Sequence, residues 1–499
     1  MHDSGTPGPG PEKTDVPPLP TTYDNPLTER YASAEMSRIF SPAYKFVTWR
    51  RLWLALAESE RELGLDIPED ALAQMRERLE HIDLRRAAEL ERRVRHDVMS
   101  HVLHFGEVAP AAHGIIHLGG TSAYVTDNTE LLQHRDAMAL VRRRLLACVR
   151  ALADFARRWK DLPTLGYTHF QPAQPTTVGK RATLWIEDLL LDLEVVDHRL
   201  ATLRFRGVRG TTGTEASFLE LFAGDHAKVR RLNELIAAKM GFERLYPVTG
   251  QTYPRKTDYA FLAALAGIAT SASKFGYDLR LLAHEREVEE PYESEQIGSS
   301  AMPYKRNPMR AERIDAMARH VITLSLDPAF TAATQWLERT LDDSANRRVA
   351  IPEAYLGVDA ILLIVHNVAA GLIVRPEVVR HHLETELPAM ATEAILMQAV
   401  KRGGDRQALH ERIRRHAAEA GERLKAGAPN DLADRIAGDA AFGLARADVD
   451  ELLDPARHVG RAPQQVEEFL ATYVDLLLER AAAADAAGGP DETPPELRA

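Results

Sequence analysis

Between Gly298 and Pro308 the chain reads Gly-Ser-Ser-Ala-Met-Pro-Tyr-Lys-Arg-Asn-Pro. Two adjacent hydroxyls on a glycine are followed by two cations and an amide, at Lys305, Arg306 and Asn307. Such a set suits an anion whose charge grows during a reaction, because donors held ready stabilise developing charge. A loop that only connects helices has no use for this density of donors.

Three other polar, glycine-rich segments interrupt the apolar pattern, the kind of place where binding groups are usually carried. Thr164–Gln174 (Thr-Leu-Gly-Tyr-Thr-His-Phe-Gln-Pro-Ala-Gln) sets Thr168 and His169 in an expected loop before a proline-opened helix. A lone loop histidine is a solvated residue or a catalyst, and the pattern leaves both open. Gly114–Asn128 supplies hydroxyls at Thr121 and Ser122 and a cap at Asp127 or Asn128, and alone reads as a loop entering a helix. Arg206–Thr214 is a glycine-rich turn with basic flanks. It matches neither the Walker A spacing nor GxGxxG, so nucleoside triphosphate hydrolysis has no motif here. His96, His101 and His104 invite a metal reading. The step of five from His96 to His101 does not stack on a helix face, however, and no HExxH occurs, so metal catalysis is not expected.

Long helices must position these segments. The 28 prolines are absent between Pro110 and Pro163, between Pro175 and Pro247, and between Pro254 and Pro291. The last gap carries Leu262, Leu265, Ile268, Ala272, Phe275, Leu279 and Leu282, whose steps of three and four predict one continuous helix. If it fills the gap it is a rod of roughly 54 Å. Leu184–Leu203 and Leu131–Phe155 predict two more, and Met309–Asp327 and Glu353–Val374 complete an elongated bundle of five. No repeat of 30–45 residues is visible, which counts against a solenoid. Tyr44–Leu63 reads as an amphipathic helix of a small N-terminal cap, and Pro388–Arg480 as brief helices of a second cap.

Composition bounds the function. The 499 residues carry 62 Lys and Arg against 73 Asp and Glu, a net charge of -11, with 45% apolar residues. An acidic balance argues against a nucleic-acid or membrane-surface partner, which surplus Lys and Arg would hold. It leaves room for one small anion gripped by local arginines. The single cysteine, Cys148, excludes an internal disulfide and a multi-cysteine zinc site. With no secretory or membrane-spanning pattern, the expectation is a soluble, cytoplasmic protein.

At Gly298–Pro308 the chain resembles the fumarase/aspartase superfamily, whose signature GSSxMPxKxNP is filled at every fixed position. Within it the chain is similar to the longer, eukaryote-like adenylosuccinate lyase family. That likeness runs from Arg30–Ser33 to the segment starting at Arg461, through Arg-His-Asp-Val-Met at Arg95, Thr-His-Phe-Gln-Pro-Ala-Gln at Thr168 and Trp336–Arg348. It implies an all-α fold of three helical domains, with a central bundle that forms a twenty-helix core in a homotetramer. The expected boundaries are a tail over 1–25, an N-terminal domain over 26–121, the bundle over 122–375, a C-terminal domain over 376–480 and a tail over 481–499. The resemblance implies β-elimination of fumarate from succinylated purine nucleotides and their precursors, without metal or organic cofactor, at sites each shared by three subunits. Another succinyl substrate, such as argininosuccinate, is the alternative. Carried over by position, Ser299 is the base, with Ser300 as the alternative, and His169 is the acid. Lys305 and Asn307, helped by Thr121 and Ser122, would grip the succinyl carboxylate. Substrate-binding positions match Arg30, Tyr31, Arg95, His96, Asp97, Thr168, Gln251, Arg313, Arg339, Ser344 and Arg348. Glu215 stands where a glutamine is expected from the likeness, and no role is assigned to it.

Overall fold

The structure is a computed structural model that describes residues 21–293 and 295–486. Most of the two expected tails lies outside the described residues. Asn25 belongs to the folded part, because its side chain accepts the Leu27 N–H at 2.9 Å. A helix over Leu476–Ala486 also runs past the expected tail boundary at Ala481, whose side chain is buried.

Ser41 starts helix α1 (Pro42–Glu62) by accepting the Tyr44 N–H at 3.2 Å, and Pro42 stands where a missing N–H costs nothing. His96 caps α2 (Asp97–Val108) in the same way through Nδ1. The next helix, α3 (Ser122–Arg158), has 37 residues and a length of about 56 Å. A hairpin of β1 (Pro163–Thr168) and β2 (Gln171–Thr177) follows, and then α4 (Val178–Thr202), capped by the Thr177 hydroxyl. Helix α5 (Lys256–His284) leads to the two-residue strand β3 (Val288–Glu289). Beyond the signature segment come α6 (Met309–Leu324), α7 (Ser344–Gly371), strand β4 (Ile373–Val374) and α8 (Pro376–Met390).

Helices α3, α4, α5, α6 and α7 form the five-helix bundle, with α5 against α6 and α3 against α4 and α7. The fold is thus the mostly helical architecture expected, with three differences in detail. Helix α5 has 29 residues, about 44 Å, not the full proline-free gap, because Arg286 turns left-handed (φ 60°) and β3 pairs with β4. The longest helix is therefore α3. Helix α7 starts nine residues before the expected Glu353 and runs through Pro352. An interior proline normally ends a helix reading, yet the packing of Ile351, Ala354 and Tyr355 in the core carries the helix through it. Thr168 and His169 sit on a β-hairpin, not on a loop before a helix; Pro172 and Pro175 lie in β2, and the helix opens only at Val178.

One continuous apolar core joins the N-terminal helices to the bundle and takes in Val466, Leu470 and Val474. A second core is built from Ala391 to Leu452. The expected unit over 376–480 thus divides, its last helices returning to pack on α4. The stretch Leu341–Gly371 is apolar and long enough to cross a membrane, but 78% of its most apolar window is buried within the bundle.

Glu60, near the end of α1, is fully buried with neither carboxyl oxygen hydrogen-bonded. Burial pushes its carboxyl up to about 9 from the ordinary 4.5. Folding therefore keeps a proton that the unfolded chain releases. The stability this group contributes is full below about pH 4.5 and falls by about 1.4 kcal/mol per unit until about pH 9. Glu60→Gln, which cannot ionise, should flatten the decline of unfolding free energy measured in urea between about pH 5 and 9. Equal slopes in both proteins would contradict a protonated Glu60.

Candidate active site

The hairpin that carries His169 is closed by a two-residue turn, with Thr168 opposite Gln171. His169 (φ 54°) and Phe170 (φ 56°) are both left-handed. A turn of this kind usually takes Asn-Gly, and each side chain with a Cβ costs roughly 1–2 kcal/mol there. The strand pairing holds an exposed imidazole at the hairpin tip, 3 residues from Gly166. An added Cβ at Gly166 would lie 2.5 Å from the Gln174 carbonyl of the paired strand.

Segment 298–308 is folded on itself. The Ser299 Oγ accepts the backbone N–H groups of Met302 at 3.1 Å and Ala301 at 3.4 Å. Two donors on one hydroxyl oxygen favour its anionic form. Ser299 is half-buried and Ser300 exposed. The Asn307 Nδ2 donates to the Gly298 carbonyl at 2.9 Å, so one amide hydrogen expected for substrate is used to close the segment. Gly298 has no room for a side chain, since a Cβ would lie 2.3 Å from the Lys305 carbonyl. Lys305 is exposed. The segment is rooted by Glu290, whose carboxylate accepts the Arg310 and Ala311 N–H groups at 3.1 Å. A carboxylate on the first turn of α6 complements the helix dipole; burial nevertheless shifts this carboxyl upward.

Thr168 lies on the hairpin and Lys305 and Asn307 in segment 298–308; the rest of the substrate-binding set falls into two groups. In the first, the His96 Nδ1 accepts the Met99 N–H at 3.3 Å, and its Nε2 faces the Ser122 Oγ at 3.4 Å. Asp97 meets Arg348 at 3.3 Å. Thr121 Oγ1, at the start of α3, is shielded from solvent without a hydrogen-bond partner, beside the free N–H groups of a long helix. The Gly-rich turn 206–214 presses Gly213 against Thr249, where a Cβ would sit 1.9 Å from the carbonyl oxygen. That contact sets Gln251, whose N–H donates to the Glu338 carbonyl at 3.0 Å and whose Nε2 donates to the Thr211 carbonyl at 3.2 Å. Arg339 follows and faces Asp343 at 3.4 Å, just before Ser344 opens α7. Arg95 is exposed and left-handed, at the end of the helix Leu84–Val94. In the second group the Tyr31 ring carries the Arg30 guanidinium at 5.9 Å and that of Arg313 at 5.6 Å.

Among the described residues, no hydrogen bond or ion pair joins the His169 tip to segment 298–308, or either of them to the His96–Arg348 group. A cavity of about 720 Å³ opens elsewhere, lined by residues such as Tyr44, Arg51 and Arg135, and holds none of the expected site residues. Asp97 with Arg348, and Tyr31 with Arg30 and Arg313, are each joined within the chain, while Thr168 lies beside His169 on the hairpin and Lys305 and Asn307 share the segment of Ser299.

Several contributors escaped the sequence reading. Lys45 lies with its ammonium 5.1 Å from the centre of the Trp49 ring. Burial, then Arg348, lowers its pKa. Only its position one turn into an amphipathic helix could have flagged it. Asp343, whose Oδ2 accepts from Arg255 at 2.6 Å, stands inside the matched stretch Trp336–Arg348 but reads there as one acid among several. Glu215 has a structural place: its Oε1 accepts from Arg209 at 2.6 Å and from Asn233 at 3.1 Å, which closes the Gly-rich turn.

A family model described as lyase matches residues 35–323, and one for the adenylosuccinate lyase C-terminus matches residues 388–469. The adenylosuccinate lyase of Saccharomyces cerevisiae is 51% identical over 92% of this chain and 96% of its own. That of Schizosaccharomyces pombe is 51% identical over 90% and 94%, and that of Schistosoma mansoni 47% over 91% and 95%. Among solved structures, a 3-carboxy-cis,cis-muconate lactonizing enzyme from Pseudomonas putida superposes with a TM-score of 0.78 at 25% identity, covering 92% of this chain and all of that one. A fumarate lyase from Mesorhizobium sp. BNC1 gives 0.75 at 23% identity over 91% and 100%, a likeness of fold alone. A lyase model spanning most of the bundle, with relatives half identical along nearly the whole chain, makes this chain a lyase of the adenylosuccinate lyase family.

Proposed function

We propose that the protein cleaves adenylosuccinate to AMP and fumarate, and succinylaminoimidazole carboxamide ribotide to the carboxamide ribotide and fumarate. The observation that carries this reading is the half identity to the yeast adenylosuccinate lyases over nine-tenths of the chain. Ser299, as the alkoxide, takes the proton from the carbon next to a succinyl carboxylate. The electron pair left behind is drawn into that carboxylate as a doubly charged aci-carboxylate, and then expels nitrogen as the carbon–nitrogen bond breaks. His169 delivers a proton to the departing nitrogen, leaving a neutral imidazole, a protonated serine and fumarate.

The two N–H groups on the Ser299 oxygen support its role as base, and Lys305 adds a cation six residues on. Imidazole can carry a proton near neutral pH, which suits His169 as acid. Thr121 and Ser122 at the head of α3 offer donors to the succinyl carboxylate. Arg30, Arg339 and Arg348, with Tyr31 and Ser344, offer the paired hydrogen bonds that a phosphate takes. Arg95, His96, Asp97, Thr168, Gln251 and Arg313 complete the binding set.

The working form is a homotetramer in which each site draws on three subunits. Apolar side chains exposed on the bundle support it: Leu184, Leu191 and Val195 on α4 and Tyr277 and Leu281 on α5 lie at helical spacings and face out of the chain.

Fumarate and AMP should appear from adenylosuccinate in an ultraviolet assay. Ser299→Ala and His169→Ala should each lower kcat by about 10²–10⁴-fold; near-normal turnover in either removes that residue from the mechanism. Gly298→Ala should fold normally by circular dichroism yet lose about a hundredfold in kcat, because the Lys305 carbonyl must move. Full activity there would show that the segment tolerates displacement. Arg348→Gln should chiefly raise KM, and a KM equal to the parent's would take Arg348 out of the binding set.

A further inference from the structure

Glu287 lies between the end of α5 and β3, outside every segment assigned a role above. Its carboxyl group is completely buried, and buried polar groups need hydrogen-bond partners. Two touch it, from different elements. The His382 Nδ1, on α8, lies 3.0 Å from Oε1. The Thr164 hydroxyl, on β1, faces Oε2 at 3.5 Å. Arg181, in the first turn of α4, donates to the Leu165 carbonyl of β1, and the Glu287 carboxylate partly offsets the lowering of its pKa by burial. The backbone is tied as well, since the Arg375 N–H donates to the Glu287 carbonyl at 2.9 Å.

The two elements that meet here are the ones that carry the proposed acid and base. Thr164 and Leu165 are the base of the hairpin whose tip is His169. Glu287 leads through β3 to Glu290, the anchor of the segment that holds Ser299. From Thr164 to His169 is five residues of strand, a lever of about 16 Å. A tilt of about 4° at its base moves the imidazole by about 1 Å, a displacement that can cost about a hundredfold in rate.

We propose that Glu287 is a positioning residue for the elimination: its buried carboxylate braces the base of the His169 hairpin and the root of the Ser299 segment of its own chain, and so aims each tip at the site that it serves. The proposal rests on the reading of His169 and Ser299 as acid and base. It touches no substrate, so it acts on the rate and not on binding.

The test is steady-state kinetics of the full chain on adenylosuccinate, well below the melting temperature, with oligomer size checked by gel filtration. Glu287→Gln keeps the volume and replaces the carboxyl group by an amide. Its kcat should fall by about tenfold to a hundredfold while KM stays within about twofold of the parent. The double variant Glu287→Gln/His382→Gln should lose no more than Glu287→Gln alone, since both break one joint. A kcat within about twofold of the parent, or losses that multiply in the double variant, would overturn the proposal. Should Glu287→Gln fail to fold, Thr164→Val and His382→Gln decide: a lower kcat at unchanged KM supports the joint, and full kcat in both overturns it. His169→Ala and Ser299→Ala run alongside. If they stay active the acid–base reading fails and takes the proposal with it; if they are inactive while Glu287→Gln is fully active, only the proposal fails.

Discussion

Two arginines, Arg255 and Arg347, stand inside the bundle, each held between carboxylates. Arg255 meets Asp343 at 2.6 Å and Asp127 at 3.1 Å. Arg347 meets Asp258 at 2.7 Å and Glu130 at 2.6 Å, and the Tyr253 hydroxyl donates to Asp258 at 2.6 Å. Burial alone would push the Asp258 carboxyl up, but Arg347 and His134 overcome that and hold it well below the usual carboxylate range. Removing one member of such a set leaves an unpaired buried charge, which typically costs about 3–5 kcal/mol. The set is placed where it governs the site. Asp343 and Arg347 are neighbours of Ser344 and Arg348, Asp127 lies one turn into α3 beyond Ser122, and Tyr253 and Arg255 follow Gln251. Helices α3, α5 and α7 are thereby locked in one mutual register, and the surface side chains that would grip a nucleotide inherit it.

The two groups proposed to do chemistry are held by local constraint. His169 sits on a turn that local preference would fill with Asn-Gly, and the cost is met by strand pairing and by packing of the hairpin base on α8. Ser299 sits in a segment pinned at both ends, by Asn307 on the Gly298 carbonyl and by Glu290 on the head of α6. A rigid scaffold with strained or self-folded tips is the usual way to aim a reacting group without moving the frame.

Much of this was legible in the sequence for physical reasons. Steps of three and four between apolar residues must line one face of a helix, so the five bundle helices could be read directly, as could the donor-rich break at 298–308. Helix ends were less legible: α7 begins before Pro352 because tertiary packing outweighs the proline's local effect, and α5 stops short of Pro291 because a two-residue strand pairing ends it. The hairpin was hidden, since Pro172 and Pro175 read as helix openers and His-Phe is no turn signal. The buried ion network could not be read at all, because its members are scattered from Asp127 to Arg347 and only the fold brings them together.

What remains is how the tips meet the binding groups. In the proposed homotetramer the centre would be assembled between copies, with His169 of one chain and Ser299 of another serving the same substrate. The direct measurement is complementation: His169→Ala and Ser299→Ala proteins, each inactive alone, are unfolded together, refolded as mixed oligomers and assayed for fumarate release. The account predicts that activity returns, because some sites then receive an intact histidine from one chain and an intact serine from the other. A mixture that forms hybrid oligomers yet stays as inactive as its parents would contradict it.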